Sequence, residues 1–427
     1  MKSCELPKGW KRTTVGEVYD FTKKPRGRSY SEKVAFIPMA LIPENSLEVS
    51  EHELRNLEDI SSGTYFEEDD LLVSKITPCF ENGKQGIAVN IPNGYGIATT
   101  EVIPVKGRAG VSNIYYLAGH IKRQSVRAYL TGKMQGSTGR KRLKQDALET
   151  LELLLPPIEE QEATAKTLKA VQRAKEAREA ELALERERKA ALMAYLLTHG
   201  TRREALKQTE IGEMPKSWDV CSLKNCAEKP EYGYTESANN HPVGPKFLRI
   251  TDIQNGYVDW NNVPYCVCDE RTFTKKRLIK DDLVIARIGA TTGKAFYIFD
   301  CPDQAVYASY LIRVRAQKNV MHPKYFAHFA ETPLYWDHIN KNKGGKLKGG
   351  VNIPILQAMK LPLGSLEEQK EIVDILDAQE KKIRALIEEM KVLNELFHSL
   401  LDELMSGKLS VEPLLEPKKV VKKKVAA

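Results

Sequence analysis

The sequence lacks any long apolar run. No stretch of about 18 consecutive apolar residues occurs among the 427 residues, which excludes a membrane-spanning helix. The first ten residues, MKSCELPKGW, have no apolar core of the kind that a secretory signal peptide needs. We therefore expect a cytoplasmic protein, and at this length we expect two or three domains.

Cysteine is sparse and scattered. The spacings C-x-C (266–268) and C-x4-C (221–226) differ from the paired ligand clusters of a structural zinc site. An odd, dispersed set is also unlike a disulfide framework. We predict free thiols and no metal site for the seven cysteines, which are Cys4, Cys79, Cys221, Cys226, Cys266, Cys268 and Cys301.

Catalytic motifs are missing as well. The sequence contains no G-x-G-x-x-G, no G-x-S-x-G and no H-E-x-x-H. GATTGKA (289–295) imitates a phosphate-binding loop, but it has three residues between its glycines instead of four, and Ala295 replaces the Ser or Thr that binds magnesium. We interpret it as a turn between strands. The sequence thus predicts no catalytic residue and no cofactor bound by this chain, and it favours recognition over catalysis.

The charge balance is mildly basic. The net charge of +8 permits a nucleic-acid partner without requiring one. Five lysines lie in the terminal EPKKVVKKKVAA, which we interpret as a solvated basic tail.

The strongest feature is an internal duplication. LPKGW (6–10) returns as MPKSW (214–218), and IEEQ (158–161) returns as LEEQ (366–369), each 208 residues later. Between these anchors, DDLLVSKIT (69–77) matches DDLVIARIG (281–289). GIATTEVIPVKG (96–107) likewise matches AVYASYLIRVRA (305–316). Matches in the same order indicate two copies of one structural unit.

Each copy predicts an α+β globular domain. Short β-branched runs bounded by Gly, Pro and Asp predict strands, among them Gly96–Lys106 and Ala305–Arg315. Amphipathic helices are expected at about 112–130 and 323–341. The domain boundaries that we predict are 1–157 and 214–364 for the two globular domains, 158–200 and 365–410 for two long helices, 201–213 for a linker and 411–427 for the tail.

The two long helices have the pattern of a coiled coil. Apolar residues of the second helix alternate spacings of three and four, while the first helix has a charged middle in the same register. A long charged helix needs a partner, so we expect the two helices to pack together as an antiparallel pair, giving a quasi-twofold object. The predicted seam comprises Leu168, Val171, Leu182, Leu192, Leu196, Ile372, Leu376, Ile383, Leu386, Met390, Leu393, Phe397, Leu400 and Leu404.

These motifs, in this order and in duplicate, resemble the type I restriction-modification specificity subunit. The resemblance covers roughly residues 6–410 and rests on PKGW, D-D-L-[LV]-[VI]-[SA]-[KR]-I and LPP-I-E-E-Q. It implies a non-catalytic chain in which each globular domain is a target-recognition domain for one half of a split DNA sequence. It also implies two methyltransferase subunits that hold S-adenosylmethionine and two restriction subunits that use ATP and magnesium.

Basic residues in the globular domains are candidates for DNA contact. Lys75 and Arg287 occupy equivalent places inside otherwise apolar strands. A cation is unusual in such a strand and therefore indicates a function. The loops QGSTGRKR (135–142) and NKGGKLKGG (342–350) also correspond, and their Gly and Ser permit close approach to phosphate. The predicted set is Lys23, Lys24, Arg26, Arg28, Lys75, Lys84, Arg140, Lys141 and Arg142 in the first copy, and Lys275, Lys276, Arg287, Lys294, Lys341, Lys343, Lys346 and Lys348 in the second.

Two other interpretations stay open at this point. A protein-interaction scaffold with two adaptor domains would bind its partners without the steep salt dependence of phosphate contacts. A fused methylase-specificity chain is disfavoured because no cofactor motif occurs and the first copy begins at residue 6.

Overall fold

The chain divides into two units whose boundaries lie inside two long helices. The structure is a computed structural model that describes residues 6–27, 29–137, 139–254, 256–343 and 349–415. Unit 1 comprises Met1–Glu181 with Leu386–Ala427, and unit 2 comprises Leu182–Ala385. Each unit therefore contains one globular part and one end of each long helix. Among the described helices, none combines the length and apolar composition needed to cross a bilayer.

Unit 1 holds the first set of strands and helices. In chain order they are β1 (Lys11–Thr14), α1 (Val15–Val18), β2 (Tyr19–Phe21), β3 (Lys33–Ile37), β4 (Glu48–Val49), β5 (Glu53–Asn56), β6 (Thr64–Glu67), β7 (Leu71–Ser74), β8 (Gln85–Ala88), β9 (Tyr95–Ala98), β10 (Val102–Gly107), α2 (Ile114–Lys122), α3 (Gln124–Lys133), α4 (Gln145–Glu149), β11 (Glu152–Leu155) and the start of α5 (Ile158–His199).

The strands of unit 1 form two main sheets. The orders are β2-β10-β7-β8-β4 and β5-β3-β9-β6, and β1 pairs with β11. The pairs β3–β9 and β4–β8 are parallel, while the others are antiparallel. Successive side chains of β7 alternate between two apolar clusters. Leu72 packs in a cluster with residues of the second sheet, whereas Leu71 and Val73 pack with the helices. A strand buried on both faces explains the continuous apolar run of this motif.

Unit 2 repeats this anatomy. Its elements are β12 (Leu206–Thr209), β13 (Gly212–Pro215), β14 (Asp219–Ser222), α6 (Leu223–Cys226), β15 (Glu231–Tyr232), β16 (Lys246–Leu248), β17 (Ile253–Gln254), β18 (Tyr257–Val258), α7 (Glu270–Lys276), β19 (Leu283–Ala286), β20 (Ala295–Tyr297), β21 (Ala305–Tyr307), β22 (Leu311–Val314), α8 (Pro323–Phe329), α9 (Pro333–Asn342), α10 (Ile353–Gln357), β23 (Lys360–Leu363) and the start of α11 (Leu366–Met405).

The strands of unit 2 pair in the same way as those of unit 1, but the main sheet has four strands instead of five. The main sheet has the order β15-β22-β19-β20, β14 pairs with β23, and β16 pairs with β21 in parallel. Val284 of β19 packs in one apolar cluster while Leu283 and Ile285 pack in another, as in β7. The prediction of two repeated α+β domains is therefore confirmed. The segment 201–213 contains β12 and the first part of β13, which pair as a hairpin.

The tryptophan and the E-E-Q motif of each copy, which we call the W…EEQ anchor, make the same contact in both units. The indole Nε1 of Trp10 donates to Glu160 Oε2 at 2.9 Å, and that of Trp218 donates to Glu368 Oε2 at 2.8 Å. Each glutamate lies in the first turn of a long helix, where a carboxylate is favourable. The motif thus joins each globular part to its helix.

The following glutamine of each anchor makes a second joint. The side-chain Oε1 atoms of Gln161 and Gln369 accept from the backbone amides of Asn113 and His322, both at 2.8 Å. The side-chain amide of each glutamine donates to two carbonyls, one in the loop before α2 or α8 and one just before the long helix. Both glutamines are fully buried, so these bonds satisfy groups that would otherwise be costly.

The D-D-L motif is a turn that starts β7 and β19. Asp69 and Asp281 have positive φ values of 67° and 75°, which Asp tolerates better than most residues. The side chains of the fully buried Asp70 and Asp282 accept from the backbone amide three residues earlier, at 2.7 and 3.0 Å. Burial raises the pKa of Asp70 to about 6. The motif that marks the repeat is therefore structural.

The ends of the long helices run antiparallel within unit 2. Gln379 Nε2 donates to the Glu185 carbonyl at 3.1 Å and to its carboxylate. Just beyond the end of α5, Thr201 N donates to Glu368 Oε1 at 2.9 Å. From position 185 to position 201 the residue number of the bonded partner falls from 379 to 368, as antiparallel packing requires.

The same orientation holds within unit 1. Arg178 Nε lies 3.0 Å from Glu389 Oε2, and Lys175 Nζ lies 4.8 Å from the centre of the Phe397 ring. The charged middle of the first helix is therefore paired with residues of the second. Of the predicted seam residues, nine are buried: Leu168, Leu182, Leu196, Ile372, Leu376, Ile383, Leu386, Phe397 and Leu404. Val171, Leu192, Met390, Leu393 and Leu400 are half-buried.

Two predicted elements are split in both copies. The run Gly96–Lys106 forms β9 and β10, which belong to different sheets, and Ala305–Arg315 likewise forms β21 and β22. The helix expected at about 323–341 breaks before Pro333, which starts α9 with Thr332 as its N-cap. In the first copy Arg123 has an extended backbone between α2 and α3. Apolar periodicity alone did not indicate these breaks.

Candidate nucleic-acid interface

In unit 1, the basic loop 135–142 is bonded to the connection between β7 and β8. Leu143 N donates to Lys75 O at 2.7 Å, and Thr77 N donates to Lys141 O at 3.0 Å. Arg140 and Lys141 are exposed at this loop, and Lys75 is half-buried at the end of β7. These contacts bring together four of the cations predicted from sequence, the fourth being Arg142.

Arg142 closes the loop and carries an ordered side chain. Its backbone exchanges hydrogen bonds of 2.8 and 3.0 Å with that of Gln135. Its Nε and Nη2 atoms donate to the Glu101 carboxylate at 3.0 and 2.8 Å. The hydrogen bond from Arg142 holds the pKa of the Glu101 carboxyl below its ordinary value. Glu101 was not among the predicted site residues.

Arg287 occupies the place of Lys75 in unit 2. Val351 N donates to Arg287 O at 2.8 Å, and Arg287 N donates to Tyr310 O at 3.0 Å. The corresponding bond in unit 1, from Lys75 N to Glu101 O, is 2.9 Å. The equivalence of Lys75 and Arg287 that the repeat predicts is therefore present in the backbone bonding.

Lys84 and Lys294 end the two equivalent connections. Ser74 N donates to Lys84 O at 3.2 Å, and Ala286 N donates to Lys294 O at 3.0 Å. The half-buried Lys84 donates its Nζ proton to the carbonyl of Met39 at 3.0 Å, whereas Lys294 is exposed. The segment 289–295, which imitates a phosphate-binding loop in sequence, thus forms the turn from β19 to β20.

Tyr232 organises the cations of unit 2. The Arg287 guanidinium lies 4.7 Å from its ring centre, and Lys276 Nζ donates to its carbonyl at 2.7 Å. The Arg287 Nε atom is buried and has no hydrogen-bond partner within the described residues. Sequence reasoning missed Tyr232, because a single tyrosine gives no signal until its neighbours are known.

The remaining predicted cations of unit 2 that the structure describes are Lys275, Lys341 and Lys343. Helix α9 ends at the exposed Lys341 and Lys343, and Tyr335 of this helix donates its hydroxyl proton to Gly293 O at 2.6 Å. Lys275 is exposed near the end of α7. Arg28, Lys346 and Lys348, like the tail from residue 416 onward, lie outside the described residues.

The predicted cations at 23–26 form a separate group. Lys23, Lys24 and Arg26 are exposed, and Lys24 Nζ lies 4.8 Å from the ring centre of Tyr30. Within the described residues, no hydrogen bond or ion pair joins them to the 135–142 loop. They do not belong to the bonded cluster.

One group of possible metal ligands occurs in unit 2. His328 Nε2 lies 3.3 Å from Asp377 Oδ1, and Glu380 is close to both. Lys324 and Arg384 already pair with the two carboxylates, at 2.5 and 2.6 Å. Although burial acts to raise it, hydrogen bonds from His328 and Lys324 lower the pKa of Asp377 to about 2. The arrangement is an ion-pair network at the junction of globular part and helix.

The duplicated architecture coincides with a known family. Residues 7–185 and 215–396 each match the family described as the type I restriction modification DNA specificity domain. Together these ranges cover most of the chain. The chain belongs to this family. Its W…EEQ joints and its cation-bearing loops are therefore features of a specificity-domain protein.

Individual members of the specificity family resemble parts of the chain. The type I restriction enzyme EcoAI specificity subunit of Escherichia coli is 33% identical over 162 residues, which are 38% of this chain and 28% of that protein. The MjaVIII specificity subunit of Methanocaldococcus jannaschii is 23% identical over 324 residues, 75% of this chain and 76% of that protein. With EcoAI and the related EcoEI subunit, the match spans less than a third of their length.

Solved structures share the fold. The type I restriction-modification S subunit from M. genitalium superposes with a TM-score of 0.58 at 12% identity, covering 95% of this chain and 98% of that one. A chain from a study of complex assembly in the type I R-M system gives a TM-score of 0.57 at 16% identity, covering 95% and 100%. At these identities the likeness establishes the fold of the specificity family.

Proposed function

We propose that this chain is the DNA-reading, non-catalytic specificity subunit of a type I restriction-modification enzyme. Each unit would bind one half of a two-part target. The observation that carries this proposal is the equivalent placing of Lys75 and Arg287, each at the end of a buried strand and each bonded to a second loop. Membership of the specificity family supports the same conclusion.

The chemistry of the two loops suits phosphate positioning. Exposed cations with little intramolecular pairing bind the DNA backbone and release counterions, so their contribution falls steeply as salt rises. Gly136 and Gly139 have positive φ values of 131° and 77°, a backbone that most side chains would strain. The loop 135–142 can therefore present both its backbone and its cations at one surface.

The protein partners are part of the proposal. Val392 and Leu396 are 61% and 44% exposed, and their i, i+4 spacing places them on one stripe of α11. Such a stripe suits a docked subunit. We expect two methyltransferase subunits holding S-adenosylmethionine, and two restriction subunits using ATP and magnesium, with no cofactor held by this chain.

Single-molecule methylome sequencing tests the proposal. Cells that express this chain with its neighbouring methyltransferase are compared with cells that express the methyltransferase alone. We expect a new methylated motif with two defined halves around a fixed gap, because two different units read one asymmetric target. Absence of a new motif, with a co-purifying and active methyltransferase, would instead favour the protein-interaction scaffold.

Substitutions of the two equivalent lysines, Lys84 and Lys294, distinguish a loss of DNA contact from a loss of fold stability. Lys294→Ala should weaken DNA binding by the assembled methyltransferase about two- to tenfold at low salt, with its thermal midpoint unchanged, because Lys294 is exposed. Lys84→Ala should also lower the thermal midpoint, since it removes the bond to the Met39 carbonyl. Fluorescence anisotropy at several salt concentrations and differential scanning fluorimetry measure both. Equal affinity of the Lys294→Ala and wild-type assemblies at low salt would contradict the assignment.

A further inference from the structure

The position occupied by Glu101 and Tyr310 differs between two otherwise equivalent frameworks. Both residues directly precede the strand that follows β9 or β21, and both accept a backbone hydrogen bond from the cation just after β7 or β19. The joints of the framework, by contrast, keep the same residue types in both copies. A change of residue type at a position that the backbone holds in the same place, beside the basic loops, is expected where two domains read different bases.

In unit 1 the residue at this position, Glu101, holds the side chain of Arg142 in place. Nε and Nη2 of Arg142 are engaged by the Glu101 carboxylate at 3.0 and 2.8 Å, in the side-on geometry of a fork pair. Three guanidinium N–H groups remain, two on Nη1 and one on Nη2. No hydrogen bond from Nη1 to another described residue occurs, and the side chain is 50% exposed.

The backbone of Arg142 is also fixed. It is bonded to Gln135 across the loop, and its neighbours Lys141 and Leu143 are bonded to Thr77 and Lys75 on the β7–β8 connection. A guanidinium held at both ends loses little conformational entropy on binding. Two adjacent N–H groups on the unbonded edge of the guanidinium match the O6 and N7 acceptors of guanine in the major groove.

At the equivalent position, the described residues of unit 2 carry no such arginine–carboxylate pair. Because Val351 corresponds to Leu143, the residue at the place of Arg142 is Gly350, and the residue at the place of Glu101 is Tyr310. A Cβ at Gly350 would lie 3.0 Å from the Arg287 carbonyl, so the backbone passes close to the strand there. Tyr310 is 55% exposed and offers an aromatic face instead of a carboxylate.

We infer that Arg142, positioned by Glu101, reads the guanine of a G·C pair in the half-site of unit 1, and that Gly350, at the equivalent position of unit 2, provides no such reader. This inference rests on the proposed function. It assigns Arg142 as a specificity-determining residue and Glu101 as its positioning residue.

The test compares methylomes of assemblies that carry Arg142→Lys, Arg142→Ala or Glu101→Gln. Lysine keeps the charge for a phosphate contact but loses the bidentate geometry. We expect Arg142→Lys and Arg142→Ala to make one G·C position degenerate in one half-site, with roughly tenfold or greater loss of discrimination, and the other half unchanged. Glu101→Gln should relax the same position to a smaller extent.

Arg55→Ala serves as the matched control. Arg55 pairs with Glu53 on the edge strand β5, and its side chain is 41% exposed against 50% for Arg142. It lies outside the basic loops, so its removal should leave the motif unchanged. An unchanged motif with Arg142→Lys, or methylation that falls equally at all sites, would overturn the base-reading role. A two-part wild-type motif without a G·C pair in either half would overturn it as well. A wild type with no two-part motif would overturn the proposed function itself.

Discussion

Replacing Trp218 by alanine should lower the free energy of unfolding of unit 2 by about 3–5 kcal/mol, the usual cost of deleting a large buried aromatic side chain. Trp218 is fully buried, and its indole donates to Glu368 at the start of α11. The substitution would leave a cavity and remove the partner of a buried carboxylate at the same time. Gly364 shows how closely the indole is packed, because a Cβ there would lie 2.4 Å from its Nε1 atom.

The internal repeat supplies the control for this prediction. Trp10 makes the same hydrogen bond to Glu160 but is only half-buried, so Trp10→Ala should cost less, about 1–2 kcal/mol, and its effect should fall on unit 1. Hydrogen–deuterium exchange with mass spectrometry locates each loss. Faster exchange spread evenly over both units after Trp218→Ala would contradict the assignment of this joint to unit 2.

The duplication made most of the fold predictable. Matches such as PKGW and E-E-Q predicted two α+β domains and two long helices because they mark structural joints, namely Trp10–Glu160 and Trp218–Glu368. The turn at 289–295 was predictable from two glycines that adopt positive φ values. The turn depends on local backbone chemistry, which a sequence shows directly, whereas the joints became visible because the same residues recur in both copies.

The breaks and the polar partners were less predictable. Thr99–Glu101 turns the chain from one sheet to the other, although nothing in the apolar pattern of Gly96–Lys106 shows a turn. Glu101 and Tyr232 became visible as partners of Arg142 and Arg287 only through tertiary contacts. Loop cations could be proposed from composition, but their pairing requires knowing which distant segments meet.

The second large effect concerns a buried ammonium group. Lys122 is 7% exposed, and burial, with Arg127 and Lys175 nearby, lowers its pKa to about 7 against the opposing effect of Glu44. Below pH 7 the lysine is charged in both the folded and unfolded chains, so the folded state carries the full cost of burying the charge, about 5 kcal/mol. Between pH 7 and about 10.5 the unfolded chain holds more protons, and stability rises with pH.

Lys122→Met should therefore stabilise unit 1 at pH 6, by about 2 kcal/mol after the loss of its hydrogen bond is counted, and the gain should vanish near pH 10. Urea unfolding of the variant and the wild type at a series of pH values measures this difference. A difference that stays constant from pH 6 to pH 10 would show that the lysine is not buried as an ammonium.

The same substitution should loosen one segment while it stabilises the unit. Lys122 Nζ donates to the Glu44 carbonyl at 2.9 Å, inside the stretch 43–49 whose carbonyls accept from the amides of Gln85 and Ile87. This stretch covers the outer edge of β8, the strand that follows Lys84. Without the lysine, amide exchange at Gln85 and Ile87 should quicken even at pH 6. Local opening of this segment depends directly on that bond, whereas the stability of the whole unit gains more from removal of the buried charge than it loses with the bond. A lysine kept at such a cost is explained if it holds the edge of the sheet that carries the basic loops.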